Sequence, residues 1–434
     1  MKKEKLISYL VLMGIIFALP SVIYLVQNDG NLAGYSGQYF YHIGNTHPVF
    51  TILGALVYAW CLILMLILYW KLIQVSDQFS NVKSILITSL IVGITFAMIL
   101  PNTSKDVFFY MGSGRAFEKY KVNPYTTSIG EIDNVDVTDD IIETVGTQKS
   151  YTFVYGPVFL AICGLLSKIS LSSVCLLLYE FKLLNLLAYL GTVYLVYQLT
   201  QKKKLTVAYA WNPLVLLEVL VNVHNEIFVL LFAFLGIFLI KEAEKCRKQF
   251  GKSEFAFLCG LICLAISACI KYVAIILLPF VILYRLRKNK IWQKILIGIV
   301  YIVIFFGIFS VTYLPYFENP MQSFGGVLAQ SSKLKDSIYL IIAMLTTQNQ
   351  KIVSLCYSVG FFVLGYVFII KVLMQAFRKN SFQAMMQNIY MVLFALIFLG
   401  LTNLTSWYLL WLCIPVFWTK GRRLKEWIWI RILL

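Results

Sequence analysis

The sequence is poor in charged residues. Only 13% of its 434 residues are charged, whereas 60% are hydrophobic, a composition far from that of soluble globular proteins. Apolar runs of roughly 15 to 23 residues recur between short charged clusters, as in polytopic helical membrane proteins. The scarcity of charge therefore excludes a soluble enzyme. It predicts an all-α polytopic membrane protein with about 12 transmembrane helices.

Acidic residues are scarcer still: 20 against 37 lysines and arginines, for a net charge of +17. The basic residues form clusters between apolar runs rather than a stripe along one face. This distribution is typical of cytoplasmic loops that follow the positive-inside rule and does not indicate a nucleic-acid partner. It predicts a multi-pass protein with both termini in the cytoplasm.

Several familiar motifs are missing. No small-residue cleavage site follows the first apolar run, so we expect a retained signal-anchor. The nine cysteines lie mostly inside apolar runs and lack metal-ligand spacing, which predicts neither disulfides nor a metal. No DxD pair occurs in a plausible donor loop, since Asp133 and Asp136 miss that spacing and Asp139 and Asp140 are adjacent. Gly112-Ser-Gly114 lacks the P-loop context and indicates close helix packing.

The order of apolar runs predicts an N-terminal transmembrane pair with its loops, residues 1–83, followed by a transmembrane core, residues 84–434. We expect the core to carry a large extracytoplasmic loop with interfacial helices, residues 102–152, and a second outer loop, residues 315–337. The predicted spans before the large loop are Leu6–Val26, Phe50–Trp70 and Ser84–Leu100. Later spans form hairpins whose basic ends lie inside.

One part of this topology has two solutions. Two apolar runs, Phe153–Ile169 and Leu171–Leu199, separate the large loop from the triplet Lys202-Lys203-Lys204. Two crossings would leave these lysines outside, against the positive-inside rule. Either one run is re-entrant, or the longer run breaks near Glu180 and Lys182 into two short crossings.

The large loop begins with the residue of greatest interest, Asp106, about one turn beyond the proline that ends an apolar run. A carboxylate there lies at the bilayer surface, where a lipid-borne and an aqueous reactant can both reach it. Asp106 could cap an amphipathic helix over Val107–Tyr120. Alternatively, it could act as a general base that removes a proton from an acceptor hydroxyl.

Other polar residues also map to the outer ends of helices. They are Glu218, His224, Glu226, Lys271 and the pair Trp407-Tyr408. Polar groups near hydrocarbon tend to face a cavity or one another, so we expect these residues and Asp106 to share one pocket. Three of these also have a structural interpretation. His224 could stabilise a turn, Lys271 could snorkel to the interface, and the aromatic pair could anchor there or stack on a sugar.

The chain resembles the GT-C class of polytopic glycosyltransferases, and more narrowly the bacterial polyprenol-phosphate-mannose-dependent mannosyltransferases. The resemblance covers residues 100 to 410. It rests on short fragments that recur in order: Asp106-Val-Phe-Phe-Tyr110, Gly114-Arg115, Asn123-Pro124-Tyr125, Tyr155-Gly-Pro157, Asn212-Pro213 with Glu218, His224-Asn225-Glu226, Lys271-Tyr272 and Trp407-Tyr408. The family often has aspartate where this chain has Glu226. The first two spans precede the usual start of the family core.

The resemblance implies a GT-C-like fold and inverting transfer of a sugar, mannose being favoured, from a polyprenyl-monophosphate donor to a cell-envelope glycan or glycolipid. It implies a bacterial plasma-membrane enzyme, embedded among membrane lipids, with an extracytoplasmic active site and Asp106 as the base. A monophosphate leaving group needs positive charge but no metal, so no cofactor is expected. Candidate donor-phosphate or sugar ligands are Arg115, His224, Glu226, Lys271, Tyr272 and Tyr110. Candidate acceptor or cavity residues are Asn123, Tyr125, Tyr155, Glu218, Asn225, Trp407 and Tyr408.

Two other classes of function remain open at this stage. Intramembrane ionisable residues also mark transport paths, so a transporter or a flippase for lipid-linked sugars is the main alternative. Against it, the polar residues gather near one face of the membrane rather than at its midplane. A non-catalytic assembly partner is the third possibility, for which the pocket residues would be dispensable.

Overall fold

The computed structural model describes residues 2–30, 32, 35, 48–132, 139–316, 326–327, 334–377 and 381–419, without the side chains of residues 48–55. These residues are mainly helical and form no β-strand, which confirms the all-α polytopic class. Within these described ranges, seven helices are long and apolar enough to cross a membrane: Lys3–Gln27, Leu56–Gln74, Val174–Thr200, Phe250–Ala268, Ile291–Tyr316, Gln350–Phe377 and Phe382–Gly400.

The predicted number of about 12 spans depends on further, less regular helices. One bent pair, Lys203–Ala210 and Pro213–Val221, would make an eighth span. Four shorter apolar helices would also have to cross: Val82–Ala97, Pro157–Ile169, Tyr272–Arg285 and Ser406–Val416. The count of 12 therefore stays a prediction.

The chain divides into two compact units, and the first comprises residues 1–153 and 159–231. Its helices are α1 (Lys3–Gln27), α2 (Pro48–Gln74), α3 (Val82–Ala97), α4 (Asp106–Glu118), α5 (Asp140–Thr144), α6 (Pro157–Ile169), α7 (Val174–Thr200), α8 (Lys203–Ala210) and α9 (Pro213–Val221). Helix α3 packs against both α1 and α7, and α2 packs against α1 and α8. The two N-terminal helices thus belong to this unit. The functional distinction between residues 1–83 and 84–434 stays a prediction.

Helix α7 runs without interruption through Glu180 and Lys182, so the second of the two alternatives, a break into two short crossings, is wrong. Ser173 begins the helix by accepting a hydrogen bond from the backbone N–H of Leu176, and Gln201 ends it in a left-handed conformation. The bend comes later, between α8 and α9. There Asn212 accepts a hydrogen bond from the N–H of Leu214, and Pro213 starts a new helix at 44° to the last.

Helix α9 is α-helical over Pro213–Val215 and continues as a π-helix over Leu216–Val221. The next helix, α10 (Glu226–Lys245), begins after a turn of only a few residues. Its first residues belong to the first unit and the remainder to the second. The region between α9 and α10 is the tight polar turn that the sequence predicts.

The second unit comprises residues 154–158 and 232–434. After α10 its helices are α11 (Phe250–Ala268), α12 (Tyr272–Arg285), α13 (Ile291–Tyr313), α14 (Ile338–Leu345), α15 (Gln350–Phe377), α16 (Phe382–Gly400) and α17 (Ser406–Val416). Helix α11 packs against α13, and α15 packs against α16. The predicted outer loop at 315–337 lies mostly outside the described residues. The large loop at 102–152 is described apart from residues 133–138.

Candidate active site

The first element of the site is the beginning of α4. This helix starts at Asp106 itself, with Lys105 in the cap position, so Asp106 is not the N-cap residue that one interpretation of the sequence requires. The backbone N–H of Asp106 donates to Oγ of Ser104, 3.2 Å away. A carboxylate in the first helical turn is stabilised by the helix dipole. Asp106 is therefore fixed to the first turn of α4.

The second element is the turn between α9 and α10. Val223 has φ +62°, a left-handed conformation that is unfavourable for a β-branched residue. This conformation turns the chain back, so that the N–H of His224 donates to the backbone oxygen of Glu218 at 2.9 Å. Strained backbone of this kind tends to occur at functional sites.

These two elements bring three predicted residues together. Nδ1 of His224 lies 3.7 Å from Oδ2 of Asp106, and Nε2 lies 3.4 Å from Oε2 of Glu218. The imidazole thus lies between two carboxylates that come from separate parts of the chain. The predicted grouping of Asp106, Glu218 and His224 is present within the first unit.

The members of this cluster differ in exposure. The side chain of Asp106 is 19% exposed, that of Glu218 is 8% exposed, and His224 is fully buried. Glu226 and Asn225 are also fully buried, and neither polar atom of the Asn225 amide has a hydrogen-bond partner among the described residues. Asp106 is therefore the carboxylate of this cluster best placed to contact a substrate.

The carboxylates govern the charge of the imidazole. Burial lowers the pKa of His224, but Glu218, Asp106 and Glu226 together outweigh this effect and raise the pKa above its ordinary value of 6.5. A protonated imidazole would fix the orientation of both neighbouring carboxylates. It would also offset part of the negative charge beside Asp106.

Two further residues that the sequence analysis did not select complete the surroundings of Asp106. Gln148, in the short 3-10 helix Gly146–Ser150, donates from Nε2 to Oδ1 of Asp106 at 3.3 Å. Asn222 donates to Oε2 of Glu218 at 3.0 Å, and its Oδ1 accepts from the backbone N–H groups of Asn102 and Thr103. The sequence could have indicated Asn222, because this residue stands in the polar turn. Nothing in the sequence distinguishes Gln148, because its loop is polar throughout.

Arg115 is placed differently from the rest. Its Nε donates to Oδ2 of Asp139 at 2.9 Å, and Nη2 donates to Oγ of Ser172 at 2.7 Å. Lys119 and Tyr120 bind the same carboxylate oxygen of Asp139. Burial raises the pKa of Asp139, but these three partners lower it to about 2. The guanidinium thus holds the outer loop to α4, and its predicted part in donor binding stays a prediction.

Three other predicted residues of the first unit take part in packing. Tyr110 is buried against Phe159, and Tyr125 is buried against Phe153, in edge-to-face contacts. Asn123 accepts a hydrogen bond from the backbone N–H of Tyr125 in a turn that follows α4, so it does not end that helix. The glycines of α4 also serve packing, because a Cβ on Gly114 would overlap the backbone of Cys163.

The remaining predicted residues lie in the second unit, around Lys271. Its ammonium lies 4.7 Å from the ring centroid of Tyr408, 5.4 Å from that of Tyr155 and 5.5 Å from that of Trp411. All three rings are within cation–π range. Trp411 is a member that the sequence analysis missed, and its buried Nε1 has no hydrogen-bond partner among the described residues.

Two neighbours of this aromatic cage, formed by Tyr155, Tyr408 and Trp411, were also predicted. The hydroxyl of Tyr272 is hydrogen-bonded to that of Tyr313, and the ring of Trp407 meets that of Tyr408 edge-to-face at 6.0 Å. Both Tyr272 and Trp407 are half-buried. The described part of the chain contains no group of three or more histidine, cysteine and acidic side chains arranged to hold a metal ion.

Comparison with protein families shows to which family the chain belongs. Residues 25–287, more than half of the chain, match the MptA_B family model, described as "Alpha-(1->6)-mannopyranosyltransferase, N-terminal domain". The chain belongs to the MptA_B family. Comparison with curated proteins and with solved structures gives no significant match.

Membership in the MptA_B family confirms the resemblance to GT-C mannosyltransferases and makes the chain a mannosyltransferase. The MptA_B match spans Asp106, His224 and Lys271, whereas Trp407 and Tyr408 lie beyond its end. It starts within α1, so that α2 also falls inside it.

Proposed function

We propose that the chain transfers mannose, with inversion, from a polyprenyl-monophosphate-mannose donor to the hydroxyl of an extracytoplasmic glycan or glycolipid. The observation that carries this proposal is the partly exposed carboxylate of Asp106, whose Oδ2 lies 3.7 Å from Nδ1 of the buried His224. A general base needs one reachable oxygen and a fixed orientation, and Asp106 has both.

The reaction is a single displacement. Asp106 accepts the proton of the acceptor hydroxyl while its oxygen forms a bond to the anomeric carbon of mannose. The bond between that carbon and the phosphate oxygen breaks, and polyprenyl phosphate leaves with the electron pair. Inversion requires a β-linked donor if the product is α-linked, and the family description favours an α-(1→6) product. A protonated His224 keeps Asp106 oriented while negative charge shifts towards the phosphate.

Lys271 is the proposed ligand of the donor phosphate. A lysine held against three aromatic faces keeps its charge in a fixed place, and the departing phosphate needs such a charge. We propose that a monophosphate donor makes a divalent metal unnecessary. Addition of EDTA should then change the rate by less than about 2-fold, whereas a diphosphate-sugar mechanism would lose most of its activity.

The positive-inside rule sets the proposed location. The clusters of lysine and arginine favour a bacterial cytoplasmic membrane protein with both termini inside. The turn that carries His224 and the loop that begins at Asp106 then face the exterior.

The test uses the full chain in proteoliposomes with labelled polyprenyl-phosphate mannose and an acceptor glycan. Asp106→Asn should lower kcat by about 10³-fold or more while the donor still binds. Asp140→Asn is the matched control, because Asp140 is an exposed acid in the same outer loop. Full activity of Asp106→Asn would remove Asp106 as the base. Donor lipid that crosses sealed liposomes without release of sugar would instead support the flippase alternative.

A further inference from the structure

Lys182 is a charged residue that the proposed reaction leaves unused. It lies within α7, is 1% exposed and forms no ion pair with any acidic residue in the part of the chain that the structure describes. Its ammonium donates to the backbone oxygens of Ile99 at 2.7 Å, Val221 at 3.0 Å and Leu220 at 3.1 Å. A lysine ammonium has three donors, and here all three are used.

The three acceptors have a common position in the fold. Ile99 follows the C-terminus of α3, and Leu220 and Val221 are the last residues of α9. Carbonyl groups at helix C-termini lack partners within their own helix and carry partial negative charge. Lys182 therefore binds the ends of two helices at once, through groups that attract a cation.

These two helix ends lead directly to the residues of the site. The chain continues from Ile99 to Asp106 at the beginning of α4, and from Val221 to His224 in the next turn. Asn185, one turn further along α7, donates from Nδ2 to the backbone oxygens of Val219 and His224. Asn222 joins the same two segments by accepting from the N–H groups of Asn102 and Thr103. One face of α7 thus supports both halves of the Asp106–His224 pair.

We propose that Lys182 is a positioning residue whose ammonium sets the separation of Asp106 and His224 by holding the C-terminal ends of α3 and α9. The inference rests on the proposed function for the part that Asp106 plays. A displacement of about 1 Å in such a pair is enough to slow a reaction about 100-fold. Lys182 itself does not touch a substrate.

The test compares Lys182→Met and Lys182→Gln in the purified full chain. Methionine has a similar length and no donor, whereas glutamine retains an N–H₂ group. Lys168→Met is the matched control, because Lys168 is an exposed lysine at the end of α6. Two readouts are needed. The first is a kinetic measurement that gives kcat and the KM for the donor separately, and the second is an NMR titration of the imidazoles. The chain has three histidines, so His224→Gln assigns the signal of His224.

In Lys182→Met we expect kcat to fall about 10- to 100-fold with a change in donor KM of less than about 2-fold. His224 should then titrate closer to its ordinary pKa of 6.5, because Glu218, Asp106 and Glu226 no longer surround it at the same distances. Lys182→Gln should retain part of the wild-type kcat and part of the raised pKa of His224. Lys168→Met should retain both in full.

Three results would overturn the inference. The first is a monodisperse Lys182→Met or Lys182→Gln protein with wild-type kcat and an unchanged titration of His224. The second is an equal loss of rate in the Lys168→Met control. The third is loss of the monodisperse form in both Lys182 variants, which would assign Lys182 to folding alone. The titration needs no enzymatic activity, so it tests Lys182 even if Asp106→Asn remains active and the proposed function fails.

Discussion

Nδ1 of His224 lies 3.7 Å from Oδ2 of Asp106. His224 is in the turn that follows α9, and Asp106 is at the start of α4, which is buried from Val107 to Ala116. Each side chain restricts the orientation of the other. A buried imidazole beside carboxylates is stable when it is protonated, and a carboxylate beside an imidazolium keeps a fixed direction. This relationship makes the stability of the protein depend on pH.

The first prediction concerns that dependence. The pKa of His224 is raised in the folded protein, so its contribution to stability is complete below the unfolded value of 6.5. The contribution is lost as the pH rises through the folded pKa. The Tm of the wild type should therefore exceed that of His224→Gln by more at about pH 6 than at about pH 9. Thermal unfolding in detergent, followed by tryptophan fluorescence, measures both. A difference that is constant or grows with pH would contradict the raised pKa.

The second prediction concerns Gln148, which donates to Oδ1 of Asp106 at 3.3 Å. Gln148→Leu removes one hydrogen bond to a charged group, worth about 1.5 kcal/mol, and should lower kcat about 10-fold. Gln148→Glu should cost more, since it places a second negative charge beside the base. Initial rates at saturating donor measure both effects. Gln201→Leu, an exposed glutamine at the end of α7, is the control. Equal rates for Gln148→Leu and the wild type would show that this hydrogen bond is unimportant.

The third prediction concerns Asp139 and its partners Arg115, Lys119 and Tyr120. Asp139→Asn leaves the buried guanidinium of Arg115 without its counter-ion and should destabilise the fold by about 3 kcal/mol. The folded pKa of Asp139 is about 2, below its ordinary value of 3.8. The stabilisation is therefore present above pH 3.8 and is lost as the pH falls towards 2. Comparison of Tm between wild type and variant, with Asp140→Asn as control, tests this. A Tm equal to that of Asp140→Asn would refute it.

The fourth prediction concerns Gly156 in the second unit. Its N–H donates to the backbone oxygen of Ile270 at 2.9 Å, and a Cβ at this position would overlap the backbone of Cys269. Gly156→Ala should therefore destabilise the segment beside Lys271 by about 2–3 kcal/mol. Gly307→Ala is the matched control: apart from the backbone of its own helix, no atom of the described residues lies within 4 Å of a Cβ placed there, and alanine favours the helix by about 0.5–1 kcal/mol. The measurement is Tm. An unchanged Tm in Gly156→Ala would rule out the close packing.

The polar turn between α9 and α10 could be predicted from the sequence because its physical basis is local. His224, Asn225 and Glu226 interrupt apolar sequence, and such residues gather where helices end. The grouping of His224 with Asp106 followed from topology alone. The bend between α8 and α9 was harder to predict from the sequence. The pair differs from one straight span only in a bend of 44° and in the π-helical hydrogen bonds at its end.

Arg115 and Lys182 show why the other features of the fold and the site could not be predicted from the sequence. Arg115 stands nine residues after Asp106, which is half a turn out of phase on an α-helix and about 13 Å along it. Helical periodicity therefore places Arg115 on the opposite face of α4 from Asp106, which the prediction of a donor ligand from charge alone did not take into account. Lys182 suggested a break in α7, but its partners are backbone carbonyls, which have no sequence signature. The helix continues because those carbonyls satisfy the ammonium.

The π-helix Leu216–Val221 contains Glu218 and precedes His224. Such a turn accommodates one residue more than an α-turn, so loss of a single residue here would let the segment relax into ordinary helix. The residues of the π-turn itself, Glu218 among them, would then change their positions relative to the imidazole of His224. We therefore expect the number of residues in this stretch to matter more than the identity of its apolar side chains, because gain or loss of one position would separate Glu218 from His224.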